Sequence, residues 1–215
     1  MYKAVLFDLD GTITDPGLGI TNSVMYALEK YHIKVDDRSA LYKFIGPPLK
    51  ESFEKYYHFS DEESTCAIAY YREYFREKGI YENVLYDGME ELLKHIRKSG
   101  QKLILATSKP EEFAIQILKY FEIEKYFDFV AGATMEETRV QKAEVITYAL
   151  TSCGIADLSS VIMVGDREHD IYGAKEVGID SIGVLYGYGS REELQSAGAT
   201  YIVESVGEIG DILNE

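Results

Sequence analysis

Tryptophan is absent from this chain of 215 residues, proline occurs 4 times and cysteine twice. So little proline argues against an extended or low-complexity polymer, and a hydrophobic share of 46% argues against disorder. Cys66 and Cys153 are too few for a disulfide-built scaffold and are expected as buried thiols. Positive charge is scarce as well: 22 Lys and Arg stand against 37 Asp and Glu, a net charge of −15. An acidic surface of that kind repels phosphate backbones, which disfavours nucleic-acid binding through a basic face. No apolar run approaches the ~20 residues of a membrane span. The N-terminal stretch meets Asp8 too early for the core of a signal peptide. What remains is the expectation of a globular cytoplasmic protein, with room for one large domain or a core plus an accessory domain.

The opening run Ala4-Val5-Leu6-Phe7 is short, continuously apolar and ends at Asp8, the pattern of a buried strand in a parallel sheet. Runs 103–106, 161–164 and 182–185 look alike, with weaker ones at 127–131 and 201–203. Between them lie helical patterns. Met89, Leu92, Leu93 and Ile96 share one face, as do Phe113, Ile117, Leu118 and Phe121, and Val145, Ile146 and Ala149. This alternation signals repeated βαβ units and a mostly parallel α/β sheet. Residues 17–83 break the rhythm with helical patterns alone: one through Ile20, Val24, Ala27 and Leu28, one after Pro48, and one from Asp61 to Lys78. The chain therefore divides into an α/β core, 1–16 with 84–215, and an inserted helical domain, 17–83.

Ligands of parallel α/β sheets bind at the carboxyl ends of the strands. Polar residues follow three of the apolar runs: Asp8-Leu9-Asp10-Gly11-Thr12, Thr107-Ser108-Lys109, and Gly165-Asp166 with Asp170 four residues on. Carboxylates that converge on one edge repel each other and stay ionised together only beside a cation. A donor set of oxygens, without His or Cys, suits a hard ion such as Mg²⁺. Ser108 and Glu111 fit a capping box with Pro110 in the first helical turn, and a helix N-terminus at this edge offers N–H groups to a phosphate. Carboxylates, a cation and an anion cradle together point to phosphoryl transfer.

These motifs resemble the haloacid-dehalogenase-like hydrolase superfamily, in its phosphatase branch. The Asp-x-Asp-Gly-Thr of Asp8 to Thr12, Thr107 at the next core strand, and Gly165-Asp166 with Asp170 match its first, second and fourth motifs in order. Lys142 stands where the family places its third-motif lysine, with Arg139 as the alternative. The resemblance implies a Rossmann-like core with an inserted helical cap and covers essentially the whole chain. It implies that Asp8 is the nucleophile, Asp10 the general acid and base, and Lys142 the cation that balances the phosphoryl charge. Thr107 and Ser108 would bind the phosphoryl group. Mg²⁺ would be held by Asp8, Asp166 and the Asp10 carbonyl, with Asp170 supporting them.

Within the superfamily, Asp15, Gly17, Gly19, Ile20 and Ser23 resemble the phosphoglycolate-phosphatase-like and nucleotidase-like group. The segment Phe44 to Leu49, with Gly46 as a substrate contact, resembles its cap loop. The implied reaction is Mg²⁺-dependent hydrolysis of a small phosphorylated metabolite through an aspartyl phosphate, by a monomer or homodimer acting on neither nucleic acid nor membrane. A phosphosugar mutase is the alternative enzyme, although the stretch 16–23 lacks the His that mutases of this type carry. A non-catalytic binding protein on the same scaffold would need a lost catalytic group, and none is missing. His169 lies beside the fourth motif, and the tyrosines at 56, 57, 70, 71 and 74 read mainly as packing residues.

Overall fold

The computed structural model describes residues 2–135 and 138–214. They form two compact units, one of the chain up to Thr14 and from Leu85 onward, the other Asp15–Val84. The chain leaves the first unit at β2 (Thr14–Asp15) and returns at β3 (Val84–Leu85), and these two short strands pair.

In the first unit the apolar runs are strands. They are β1 (Ala4–Phe7), β4 (Lys102–Pro110), β5 (Phe129–Ala133), β6 (Val161–Gly165), β7 (Asp180–Val184) and β8 (Tyr201–Val203). Their order is β5-β4-β1-β6-β7-β8, and neighbouring strands run parallel. The central strand β1 is buried throughout, so it can be apolar on both faces. Ala4 and Leu6 pack with Ile104, Ala106, Ala131 and Met163 against Val145, Ile146 and Ala149 of α6 (Lys142–Ser152) and Ala174 of α7 (Glu168–Val177). Val5 and Phe7 alternate to the other face. The helix pair α4 (Met89–Lys98) and α9 (Val206–Asn214) packs together, and α5 (Glu111–Tyr120) lies on β4 and β5. A seven-residue helix, α8 (Arg191–Ala197), completes the unit.

The register sets the site. Phe7 is level with Leu105 of β4 and Val164 of β6, so the residues after these three share one edge.

The second unit is helical: α1 (Gly17–Glu29), a 3₁₀ turn over Arg38–Phe44, α2 (Leu49–Tyr57) and α3 (Asp61–Tyr74), which runs into a π-helical turn at Phe75–Gly79. Ser60 and Glu63 cap α3 reciprocally. Asp15 accepts a hydrogen bond from the Gly17 N–H, starting α1. The aromatic core is built on Phe44, whose ring meets Phe53 edge-on at 5.1 Å, while Phe53 stacks on Phe59.

Two local expectations are corrected. The cysteines are not buried: Cys66 is exposed and Cys153 partly so, and both are free. Ser108 does not cap α5. β4 continues through Pro110, which pairs with Ala133 beyond an irregularity in the ladder, and α5 starts directly after it without a side-chain cap.

Candidate active site

Two strand ends, the second half of β4 and two helix starts supply the site, all within the first unit. Asp8 follows β1, and its N–H donates to the Val164 carbonyl at 2.9 Å. Asp166 follows β6 and is fully buried, and Asp170 lies in the first turn of α7 with its Oδ2 accepting the Arg167 N–H at 3.1 Å. One oxygen each from Asp8, Asp166 and Asp170 falls within 4.8 Å of the others. Carboxylate pairs about 4 Å apart near a protein surface repel by roughly 4 kcal/mol each.

Lys142 answers part of that charge. The first residue of α6, it is buried, and its Nζ sits 2.7 Å from Asp8 Oδ1, 2.7 Å from Asp170 Oδ1 and 3.0 Å from the Ala106 carbonyl. Burial alone would lower its pKa, but the Asp170 and Asp8 carboxylates outweigh burial and hold the ammonium above its ordinary value. Arg139 faces elsewhere. Its guanidinium donates to the Gly132 carbonyl, pairs with Glu111 and lies 3.7 Å from the centre of the Tyr148 ring.

One cation does not neutralise three acids. Burial, then Asp170 and Asp8, push the Asp166 carboxyl well above its usual range. Burial likewise raises Asp170 and Asp10. Asp166 Oδ2 accepts the Tyr188 N–H at 2.7 Å, whereas its buried Oδ1 accepts no hydrogen bond among the described residues. An orphaned carboxylate oxygen beside two more carboxylates fits a hard cation of Mg²⁺ type.

Asp10 is buried, and its Oδ2 pairs with Lys109 Nζ at 2.5 Å. Thr107 is buried in β4, just past Ala106 where the regular ladder to β5 breaks, and its Oγ1 accepts the Lys109 N–H at 3.2 Å. The Ser108 hydroxyl donates to the Val140 carbonyl at 3.0 Å. Gly46 belongs to the second unit, where its φ of 102° makes the turn ahead of Pro47 and Pro48.

Three features of this edge escaped the sequence reading. They are the Lys109–Asp10 pair, the Tyr188 N–H on Asp166, and the glycines on either side of Tyr188. A Cβ at Gly187 would overlap the Gly11 carbonyl and the Asp166 side chain, and one at Gly189 would overlap the Asp166 carbonyl. Gly-Tyr-Gly just beyond the apolar run 182–185 was the available signal, because that run ends at the same sheet edge. Tyr186 adds a hydroxyl donating to the Thr12 carbonyl at 2.9 Å.

Comparison with known proteins gives the same picture. The profile of the haloacid dehalogenase-like hydrolases matches residues 5–184. A protein named 5'-nucleotidase from Pseudomonas aeruginosa is 41% identical over 212 residues, covering 99% of this chain and 96% of that one. Tyrosine-protein kinase PtkA of Mycobacterium tuberculosis is 35% identical over 203 residues, covering 94% of this chain and 69% of its own. A crystal structure described as a predicted phosphatase from Clostridium acetobutylicum is 50% identical, with a TM-score of 0.97 and full coverage of both chains. The chain belongs to the haloacid dehalogenase-like hydrolase family. Within that family it stands in the phosphatase branch, as a phosphoric monoester hydrolase.

Proposed function

We propose that this enzyme hydrolyses a small phosphomonoester, phosphoglycolate-like or nucleotide-like, in a Mg²⁺-dependent reaction through an aspartyl phosphate on Asp8. The carrying observation is the buried triad of Asp8, Asp166 and Asp170 with Lys142 bridging two of its members. Asp8 and Asp166, with the Asp10 carbonyl, would hold Mg²⁺, and Asp170 would support them. Bound there, the ion supplies charge neutralisation for the dianionic phosphoryl group.

The chain's own groups account for the remaining steps. Asp8 attacks phosphorus and forms the acyl phosphate. Asp10 gives its proton to the departing alcohol and then takes one from the water that hydrolyses the intermediate. Lys142 holds Asp8 in line and balances the phosphoryl oxygens, and the Thr107 hydroxyl orients them, whereas the Ser108 hydroxyl is turned to the Val140 carbonyl and would have to leave it to take part. The second acid separates a hydrolase from a pure phosphoryl carrier, since acyl-phosphate hydrolysis needs a base. The nucleotidase named among the relatives supports a nucleotide-like substrate. The loop from Phe44 to Leu49 is the element to which this reading assigns selection of the leaving group.

The test is phosphate release from a panel of small phosphomonoesters with Mg²⁺, comparing the wild type with Asp8→Asn. The wild type should release phosphate from one class and the variant from none, with its fold intact by circular dichroism. A variant that retains most of the activity removes Asp8 as nucleophile. Isomerised sugar phosphate without free phosphate would identify a mutase instead.

A further inference from the structure

The Asp10 carboxylate is split between two environments. Its Oδ2 is paired with Lys109 Nζ at 2.5 Å, with side-chain exposures of only 9% and 6%. Its Oδ1 is buried and has no hydrogen-bond partner among the described residues. A carboxylate clamped at one oxygen cannot rotate to exchange the two, so the free oxygen points one way. Lys109 is itself fixed by the same strand end that carries Thr107, because its N–H donates to Thr107 Oγ1 at 3.2 Å. The residue that would contact the phosphoryl group and the residue that aims the acid are thus two positions apart on β4.

We infer that Lys109 is the positioning residue of Asp10: it holds Oδ2 and so presents Oδ1 to the oxygen of the leaving alcohol. The inference rests on the phosphatase reading. As the Asp8 oxygen bonds to phosphorus, the ester P–O bond breaks and its electron pair stays on the leaving oxygen. That oxygen takes the proton from Asp10 Oδ1 and departs as an alcohol. Asp10 is left as a carboxylate paired with Lys109, ready to take a proton from the water that attacks the acyl phosphate. A lysine that only stabilised the fold, or only bound phosphate, would not care which alcohol leaves.

The experiment is therefore a leaving-group series. Values of kcat/KM count only the steps up to departure of the alcohol, so they isolate the transfer that Oδ1 would assist. Substrates run from 4-nitrophenyl phosphate, whose phenolate leaves without a proton, through phenyl phosphate to an alkyl phosphate whose alkoxide cannot. For Lys109→Met we expect an unchanged rate within about threefold on the nitrophenyl ester and a loss of roughly 10²-fold on the alkyl ester, the size of a general-acid contribution. Lys109→Arg should restore most of the alkyl rate.

An equal loss on every ester would overturn the inference and make Lys109 a phosphate-binding or structural residue. Because Lys109→Met leaves a buried carboxylate unpaired, Asp10→Asn/Lys109→Met serves as the second variant. If Lys109 acts through Asp10, the double variant should be no slower on the alkyl ester than Asp10→Asn alone. A further loss of tenfold or more overturns the inference. A wild type that turns over no ester of the series overturns the phosphatase reading and this inference with it, which distinguishes that failure from a uniform loss in the variant.

Discussion

Lys142 Nζ lies 2.7 Å from Asp8 Oδ1, joining residues 134 positions apart in the chain. The contact is buried on both sides, with side-chain exposures of 5% and 6%. A buried lysine beside two carboxylates exerts its largest effect on stability when it is removed, because both acids then lose the cation paired with them. Lys142→Met should lower the unfolding free energy by roughly 3–5 kcal/mol in chelator. Chemical denaturation with and without Mg²⁺ checks this, and the deficit should shrink when Mg²⁺ is present. An unchanged midpoint in chelator would mean that the pair contributes nothing net.

The residues most legible in the sequence were those whose place depends on strand ends alone. Asp8, Thr107 and Asp166 each end an apolar run of four to five residues, and a parallel sheet puts such ends at one edge whatever the loops do. Asp170 followed from Asp166 through the first turn of a helix. Lys142 carried a weaker signal, since Arg139 three residues earlier was an alternative, and only the packing of α6 shows that Lys142 and not Arg139 reaches Asp8. Lys109 and the Gly187-Tyr188-Gly189 segment were illegible as partners of particular aspartates, because those contacts depend on side-chain direction and loop path. The strand through Pro110 was missed for a local reason. Proline fits an extended backbone as well as a first helical turn, and a Ser-x-x-Glu spacing does not say which. At the C-terminus, Val206, Ile209 and Leu213 did carry the spacing of α9.

Asp166 gives a pH prediction for the metal-free protein. A carboxyl raised by burial and by neighbouring acids binds its proton more readily folded than unfolded. Its contribution to stability is therefore complete below the unfolded value of 3.8 and is lost as pH rises through the raised folded value. At neutral pH in chelator, Asp166 is a net cost, and Asp166→Asn should stabilise the protein by about 1–3 kcal/mol. That corresponds to roughly 2–4 °C per kcal/mol for a chain of this size. The gap between variant and wild type should close as pH falls toward the usual carboxylate range. Adding Mg²⁺ at neutral pH should raise the melting temperature of the wild type and leave that of Asp166→Asn nearly unchanged. A variant that melts lower than wild type at neutral pH in chelator would refute the cost.

Gly46 is the test of the segment assigned to substrate choice. Its φ of 102° is a conformation that side-chain-bearing residues rarely adopt, and Pro47 and Pro48 stiffen the backbone just after it. Replacement by Ala or Leu would re-shape this turn. The expected result is a several-fold rise in KM or a changed order of preferred phosphomonoesters, with the Mg²⁺-induced thermal shift unaltered. An unchanged substrate profile and KM in both variants would make the segment a structural turn.

Gly189 tests how the cation site is shaped. The Tyr188 N–H occupies Asp166 Oδ2 at 2.7 Å, which leaves Oδ1 as the oxygen available for a cation. That arrangement needs backbone so close to Asp166 that a Cβ on Gly189 would overlap its carbonyl oxygen, which cannot yield as a flexible side chain could. Gly189→Ala must therefore shift the loop and lengthen or break the Tyr188 hydrogen bond. Groups that orient a metal-binding carboxylate in this way are commonly worth 10–100-fold in affinity, so the Mg²⁺ concentration giving half the maximal thermal shift should rise by about that factor. A variant elsewhere on the same loop, Tyr188→Phe, keeps the N–H and should bind Mg²⁺ as the wild type does. Calcium should substitute poorly in the wild type, because it favours a looser shell of more ligands than three carboxylates within 4.8 Å offer. Equal Mg²⁺ affinity in Gly189→Ala and wild type would show that the hydrogen bond from Tyr188 does not set the site.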